Sequence, residues 1–130
     1  MQHLDPLAAY ALLQEKPEAV LVDCRTEIEH MYVGHPAGAE HVAWQDGPDW
    51  GIDPEFADKV KQLVRNDLER PVLLICRSGQ RSVYAGEALE AAGFSRVINV
   101  LEGFEGPLDE NYHRGTLGGW RLRGLPWFQT

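Results

Sequence analysis

The sequence predicts an α/β fold, a mostly parallel sheet with helices packed on both of its faces. Three short runs rich in apolar residues, at 19–22, 71–75 and 95–100, are typical of buried strands. Segments with apolar residues at helical spacing lie between them, which is the order that a parallel sheet with crossover helices requires. With 44% hydrophobic and 25% charged residues, residues 1–130 are predicted to form a single globular domain.

The first half of the chain contains clear start and stop signals. Asp5 is a good N-cap and Pro6 suits the first helical position, so a helix is predicted from there to just before Pro17. Thr26 and Glu29 match a capping box, which predicts a short helix as far as residue 32. Three more elements are predicted from similar signals: a turn-rich segment at 34–39, a short strand at 41–43 and a helix that begins at Asp53-Pro54.

The second half is organised around Cys76. The apolar run 71–75 stops at this cysteine, and a helical pattern extends from Ser82 to a natural stop at Gly93. Cys76 is therefore predicted at the carboxyl end of a parallel strand, the edge where open α/β sheets bind ligands. The N–H groups of the loop and of the helix N-terminus form an anion-binding nest at such a position. Ser82 is predicted to cap the helix and to place its hydroxyl near the sulfur.

Two arginines give this loop its expected chemistry. Arg77 and Arg81 flank residues 78–80, and arginine does not lose its charge. A helix N-terminus and adjacent cations lower the pKa of a thiol, so a Cys76 thiolate that faces an oxyanion-shaped pocket is expected. Such a site binds a small anion and attacks it with sulfur.

Charge and composition argue against several classes of function. The net charge of −8 argues against nucleic acid as a partner. No run approaches the roughly 20 apolar residues of a membrane span, and no signal peptide is visible, so a cytoplasmic location is expected. In a reducing compartment, Cys24 and Cys76 are expected to be catalytic or buried residues rather than partners in a disulfide. His35 and His41 match no usual ligand spacing, so no metal is expected.

Four motifs occur in order along the chain. They are Leu21-Val22-Asp23-Cys24-Arg25, Gly34-His35-Pro36-Ala37-Gly38-Ala39, Cys76-Arg77-Ser78-Gly79-Gln80-Arg81-Ser82, and an ending with Gly119-Trp120 and Gly124-Leu125-Pro126. Together they resemble the single-domain rhodaneses, and the third motif is the specific one. The resemblance implies a rhodanese-like domain, with a mostly parallel central sheet of about five strands and helices on both faces. The second motif departs from the family's Gly-His-Ile-Pro-Gly-Ala, and the Phe104–Thr116 segment resembles an insertion near the site.

The resemblance implies a thiosulfate sulfurtransferase that uses no metal or organic cofactor. Cys76 attacks the outer sulfur of thiosulfate or a similar small anionic donor and becomes a persulfide. Arg81, with Arg77, holds the donor's oxygens, and the N–H groups from Arg77 to Ser82 stabilise the charge on the persulfide. A thiophilic acceptor then removes the sulfur: cyanide in a test tube, a thiol or a protein cysteine in a cell. Thiosulfate-type members place four residues between the cysteine and the arginine, as Cys76 and Arg81 do here.

Two other functions stay open. A phosphatase or an arsenate reductase also uses a cysteine–arginine loop, but the phosphatase loop is longer and makes a wider cradle for phosphate. A sulfur-carrier or protein-interaction module with little turnover is the second alternative. An inactive binding module typically loses the cysteine, and Cys76 is present here.

Several residues are candidates for supporting roles. Asp23 and Arg25 at the ligand edge could orient the loop or steer substrate, or could form a structural ion pair. His35 is interpreted as a hydrogen-bonding residue that stabilises its turn. Cys24 could resolve a persulfide as a disulfide, or could be a small buried residue.

The loops around the predicted site contain the last candidates. His113 and Arg114, within the Phe104–Thr116 segment, could form a lid that adds positive charge above Cys76, or could belong to an exposed loop. Trp44 and Trp50 could line a pocket or a partner surface, although large aromatic residues beside loops are more often packing anchors.

Overall fold

A five-stranded parallel sheet forms the centre of the molecule. The structure is a computed structural model that describes residues 1–130. In chain order the strands are β1 (Gln2–Leu4), β2 (Val20–Asp23), β3 (His35–Pro36), β4 (Glu40–His41), β5 (Val72–Ile75), β6 (Val97–Val100) and β7 (Trp127–Phe128). The central sheet has the order β1-β6-β5-β2-β4, and every neighbouring pair in it is parallel. Strands β3 and β7 form a separate antiparallel pair.

The helices cover both faces of this sheet, as predicted. They are α1 (Pro6–Glu15), α2 (Phe56–Leu63) and α3 (Arg81–Ala91), together with a π-helical segment at Glu29–Val33. Alternate side chains of β5 point to opposite faces, which divides the core in two. Val72 and Leu74 pack in one cluster with residues of α2 and α3, and Leu73 and Ile75 pack in another with α1 and the C-terminal segment. None of the helices has the length and apolar character needed to cross a membrane.

The predicted helix signals are confirmed at three places. The Asp5 side chain accepts a hydrogen bond from the N–H of Ala8 at 2.8 Å and caps α1. Thr26 and Glu29 make the reciprocal hydrogen bonds of a capping box. The backbone of Gly93 has a φ of 103°, so this glycine supplies the left-handed turn just after α3.

Other details of the prediction are wrong. The short helix predicted after the capping box is present, with π-helical geometry over Glu29–Val33, but the strand predicted at 41–43 is Glu40–His41. Helix α2 begins at Phe56, because the Asp53 side chain forms a turn with the N–H of Glu55 before the helix starts. Strands β1, β3 and β7 are absent from the prediction, since strands of two or three residues are too short to show alternation in the sequence.

The irregular segment after β6 is folded back on itself. Gly106 and Gly118 lie in contact, so residues 107–117, which we name the excursion loop, leave and re-enter the domain at one point. The Asp109 side chain accepts hydrogen bonds from the N–H groups of Asn111 and His113 and from the hydroxyl of Thr116. The loop is therefore ordered by its own side chains, as in an Ω-loop.

Candidate active site

Cys76 lies at the junction between β5 and α3, as predicted. Its side chain is buried, with only 1% exposed. The N-cap residue of α3 is Gln80, and its side chain makes no capping hydrogen bond, so the first N–H groups of the helix stay available to an anion. The predicted capping role of Ser82 is wrong, because Ser82 already lies inside α3.

The Cys76 sulfur has two polar neighbours. The N–H of Gly79 donates a hydrogen bond to it at 3.1 Å, and the Ser82 hydroxyl oxygen lies 3.2 Å away. Ser82 donates its single proton to the side-chain oxygen of Asn99, so its oxygen accepts from the Cys76 thiol. The Asn99 amide nitrogen lies 3.2 Å from Nδ1 of the exposed His3. A hydrogen-bonded chain therefore connects Cys76 to the protein surface.

A cleft of about 610 Å³ opens beside the Cys76 loop. Its charged lining consists of three arginines and three carboxylates: Arg77, Arg81, Arg114, Glu29, Asp46 and Glu105. Ile28 and Trp50 add apolar surface to the same cleft and are 67% and 57% exposed. The cleft thus combines three arginines, balanced in number by three carboxylates, with an apolar wall. Cys76 does not line it, because the sulfur is buried.

Trp44 and Trp50 each match a different one of the two alternatives in the prediction. Trp44 packs edge-on against the buried Phe56, with ring centroids 5.3 Å apart, which confirms its interpretation as a packing anchor. Trp50 matches the other alternative, because it is mostly exposed and lines the cleft.

Arg81 is held in place by a carboxylate. Its two terminal nitrogens donate to the two oxygens of Glu29, each at 2.8 Å. Burial by itself raises the pKa of Glu29, but the hydrogen bonds and the charge of Arg81 lower it below its ordinary value. The pair is bidentate and mostly buried, so Arg81, which is also a lining residue of the cleft, is fixed in position.

Asp23 and Arg25 form a buried ion pair. This is the second of the two roles predicted for them, a structural ion pair rather than contact with substrate. The Nε and Nη2 atoms of Arg25 donate to the carboxylate of Asp23 at 2.8 and 2.7 Å, and both side chains are fully buried. Nδ1 of His30 donates to the same carboxylate at 2.7 Å. Burial by itself raises the pKa of Asp23, but the hydrogen bonds from His30 and Arg25 lower it to about 2.

Three histidine rings are stacked beside this ion pair. His30 lies between His35 and His41, with ring centroids 3.8 Å and 4.7 Å apart. Nδ1 of His35 donates to the His30 carbonyl oxygen at 2.8 Å, which agrees with its predicted role as a hydrogen-bonding residue of the turn. His41 donates to the Arg25 carbonyl oxygen at 2.7 Å. The rings therefore fix the backbone at the end of β2.

The Phe104–Thr116 segment reaches the Cys76 edge of the sheet, as predicted. The N–H of Phe104 donates to the Cys76 carbonyl oxygen at 2.8 Å, and the N–H of Glu105 donates to the Arg77 carbonyl oxygen at 3.0 Å. Gly103 makes this approach possible, because a Cβ atom there would lie 2.5 Å from the Cys76 carbonyl oxygen.

The two residues of the predicted lid, His113 and Arg114, differ in whether they line the cleft. Arg114 lines the cleft and donates to the Gly106 carbonyl oxygen at 2.9 Å. His113 is exposed and does not line the cleft. Cys24 is fully buried, in the same core cluster as Cys76, and its thiol donates to the Ile75 carbonyl oxygen at 3.4 Å.

Comparison with known proteins gives the family. Residues 6–109 match the model of the rhodanese-like domain. The chain belongs to the rhodanese-like family. This confirms the family that the four motifs resemble, and with it the predicted rhodanese-like fold. The family match ends at residue 109, so most of the excursion loop lies outside it.

Individual rhodanese-like relatives support the assignment. The crystal structure of Rv0390 from M. tuberculosis is 40% identical, has a TM-score of 0.87, and covers 100% of this chain and 98% of that one. The thiosulfate sulfurtransferase GlpE of Pseudomonas putida is 34% identical over 94 residues, which are 72% of this chain and 73% of GlpE. The homodimeric polysulfide-sulfur transferase of Wolinella succinogenes is 26% identical, with a TM-score of 0.67, over 100% of this chain and 80% of that one.

Sequence reasoning missed three residues of this rhodanese-like site. Glu29 was identified only as part of a capping box, although it also binds Arg81. Asn99 belongs to an apolar strand in which a single buried amide is the available signal. His3 lies in β1, which the prediction lacked, and it approaches Asn99 across 96 positions of sequence. No pattern in the sequence connects residues so far apart.

Proposed function

We propose that this protein is a thiosulfate sulfurtransferase that transfers a sulfane sulfur through a persulfide on Cys76. The observation that carries the proposal is the environment of the Cys76 sulfur. It accepts a hydrogen bond from Gly79, it lies 3.2 Å from the Ser82 hydroxyl, and it is next to an uncapped helix N-terminus and a cleft with arginines. These groups stabilise negative charge on sulfur and on a bound oxyanion.

In the first step the Cys76 sulfur attacks the outer sulfur of thiosulfate. The new S–S bond forms as the bond between the two sulfurs of thiosulfate breaks, and sulfite leaves with the electron pair. Arg77 and Arg81 bind the anionic oxygens of the donor, and residues 78–80 supply backbone N–H groups around the transferred sulfur. Because Glu29 fixes Arg81 in a bidentate pair, this arginine needs little reordering when the donor binds.

In the second step an acceptor attacks the outer sulfur of the persulfide. Cyanide, a small thiol or a protein cysteine can perform this attack, which regenerates the Cys76 thiolate. We place Ser82 in this step as well, since rotation of its hydroxyl away from Asn99 lets it donate to the sulfur. Arg114 is the proposed lid residue, because it brings a positive charge from the excursion loop to the cleft.

The experiment is intact-mass analysis after incubation with thiosulfate, with and without a reductant. The wild-type protein and a Cys24→Ala control are expected to gain one sulfur atom that the reductant removes. A Cys76→Ala variant is expected to gain none. Absence of the gain in both the wild-type and the Cys24→Ala protein, with thiosulfate and with mercaptopyruvate, would overturn the proposal, and hydrolysis of an aryl phosphate would then indicate phosphatase chemistry.

A further inference from the structure

Strand register places the two cysteines side by side. β2 and β5 are parallel neighbours, and their last partners are Asp23 and Ile75. The N–H of Cys24 donates to the Ile75 carbonyl oxygen at 3.0 Å, so the ladder continues beyond that pair. The next residues in the same register are Cys24 and Cys76.

Both side chains lie on the same face of the sheet. Cys24 and Cys76 belong to the same core cluster as Val22 and Leu74, which precede them by two residues in the two strands. Neighbouring strands are roughly 4.7–4.9 Å apart, and a disulfide joins Cα atoms that are about 4.4–6.8 Å apart. The register therefore places the Cα atoms of Cys24 and Cys76 within the range of separations that a disulfide joins.

Cys24 has no role in the sulfur-transfer steps, yet it is the thiol adjacent to the proposed persulfide. Its side chain is fully buried and packs in the same core cluster as Cys76. Burial raises its pKa well above the ordinary value, and a negative charge on Cys76 acts in the same direction. Because the thiolate is the nucleophile, Cys24 reacts slowly compared with an acceptor in solution.

We propose that Cys24 is a resolving cysteine, which converts the Cys76 persulfide into an internal disulfide and releases sulfide when no acceptor is present. The inference rests on the proposed persulfide. The Cys24 sulfur attacks Sγ of Cys76, and the S–S bond of the persulfide breaks. The outer sulfur leaves as hydrosulfide with the electron pair and with the proton of Cys24. The two cysteine sulfurs are oxidised and the sulfane sulfur is reduced, so no external oxidant takes part.

The disulfide changes the state of the enzyme. Sγ of Cys76 is then bonded to a buried partner and cannot attack a donor. A dithiol reductant restores the two thiols by thiol–disulfide exchange. The pair thus gives the site a second activity, the release of sulfide, and stops further loading with donor until a reductant is present.

The test follows loaded protein in the absence of oxygen and acceptor. Wild-type, Cys24→Ala and Cys24→Ser proteins are loaded in parallel with thiosulfate and with inorganic polysulfide, and excess donor is removed. Polysulfide delivers sulfane sulfur to a thiolate directly, so loading does not depend on the oxyanion site. Intact mass and released sulfide are then measured over time, and circular dichroism checks that the variants are folded.

Wild-type protein is expected to lose its extra sulfur, to release one equivalent of sulfide, and to become two hydrogen atoms lighter than the reduced chain. Both variants are expected to keep the persulfide at least about tenfold longer. Equal rates of persulfide loss in all three proteins, or loss of the persulfide without formation of the lighter species, would overturn the role of Cys24 and leave the proposed sulfurtransferase function untouched. Loading by polysulfide but not by thiosulfate would count against the proposed donor while the decay still tests Cys24. Loading by neither would overturn both proposals.

Discussion

Substitution of Asp23 by asparagine tests how much the buried ion pair at the end of β2 contributes to the stability of the protein. The carboxylate of Asp23 accepts hydrogen bonds from the side chain and backbone of Arg25 and from His30. Arg25 is fully buried, and its Nη1 atom has no hydrogen-bond partner. Asp23→Asn removes the only carboxylate bound to this guanidinium, so the variant contains an uncompensated buried charge.

Removal of one partner of a buried ion pair costs about 3–5 kcal/mol of unfolding free energy. With an m-value of about 1–3 kcal/mol/M, the urea midpoint is expected to fall by roughly 2 M. The assay is equilibrium urea unfolding at neutral pH. Asp53→Asn is the matched control, because Asp53 pairs with Lys59 at 2.6 Å on the surface, where an ion pair contributes little.

The pH dependence provides a second measurement of the same carboxylate. Since the pKa of Asp23 is lowered from 3.8 to about 2, its stabilising contribution is present above pH 3.8 and is lost as pH falls through about 2. The shift corresponds to about 2 kcal/mol. The difference in unfolding free energy between wild type and Asp23→Asn is therefore expected to narrow by that amount between about pH 5 and pH 2. A difference below about 1 kcal/mol at neutral pH, or one that does not change with pH, would refute this reasoning.

Three further predictions concern the site itself. Ser82→Ala is expected to lower the unfolding free energy by about 1–3 kcal/mol, because the buried side-chain oxygen of Asn99 loses its hydrogen-bond donor. The same variant is expected to transfer sulfur more slowly. Thermal unfolding measures the first effect and turnover measures the second. Arg114→Ala is expected to raise the thiosulfate KM several-fold, whereas His113→Ala leaves it unchanged; equal KM values for both variants contradict the lid. Gly103→Ala is expected to abolish transfer by displacing the Cys76 loop. Gly38→Ala, which also has a positive φ but open space around its Cβ, is expected to lose only stability.

The features that the sequence predicted correctly have local signals. The apolar run 72–75 indicated a central strand because both of its faces are buried, and its abrupt end placed Cys76 at the ligand edge. The Asp5 cap and the capping box at Thr26 depend on residues three positions apart, which a reader of the sequence sees directly.

The features that the sequence did not predict depend on distant contacts. Glu29 and Arg81 pair across 52 positions, and the hydrogen bond between the capping-box residues gave no sign that the same carboxylate also binds an arginine. Ser82 illustrates the opposite error. Serine favours N-caps in general, but the buried oxygen of Asn99 takes its proton, and Gln80 precedes the helix instead.

The closed base of the excursion loop gives this part of the chain a modular character. Gly106 and Gly118 touch, the Asp109 hydrogen bonds order the loop from within, and no residue of 107–117 belongs to either buried core cluster. Insertions of this kind change length and composition at small thermodynamic cost. Evolution, or a protein engineer, can therefore exchange this loop between related chains and so change the wall of the cleft to which Arg114 belongs, while the buried core stays the same.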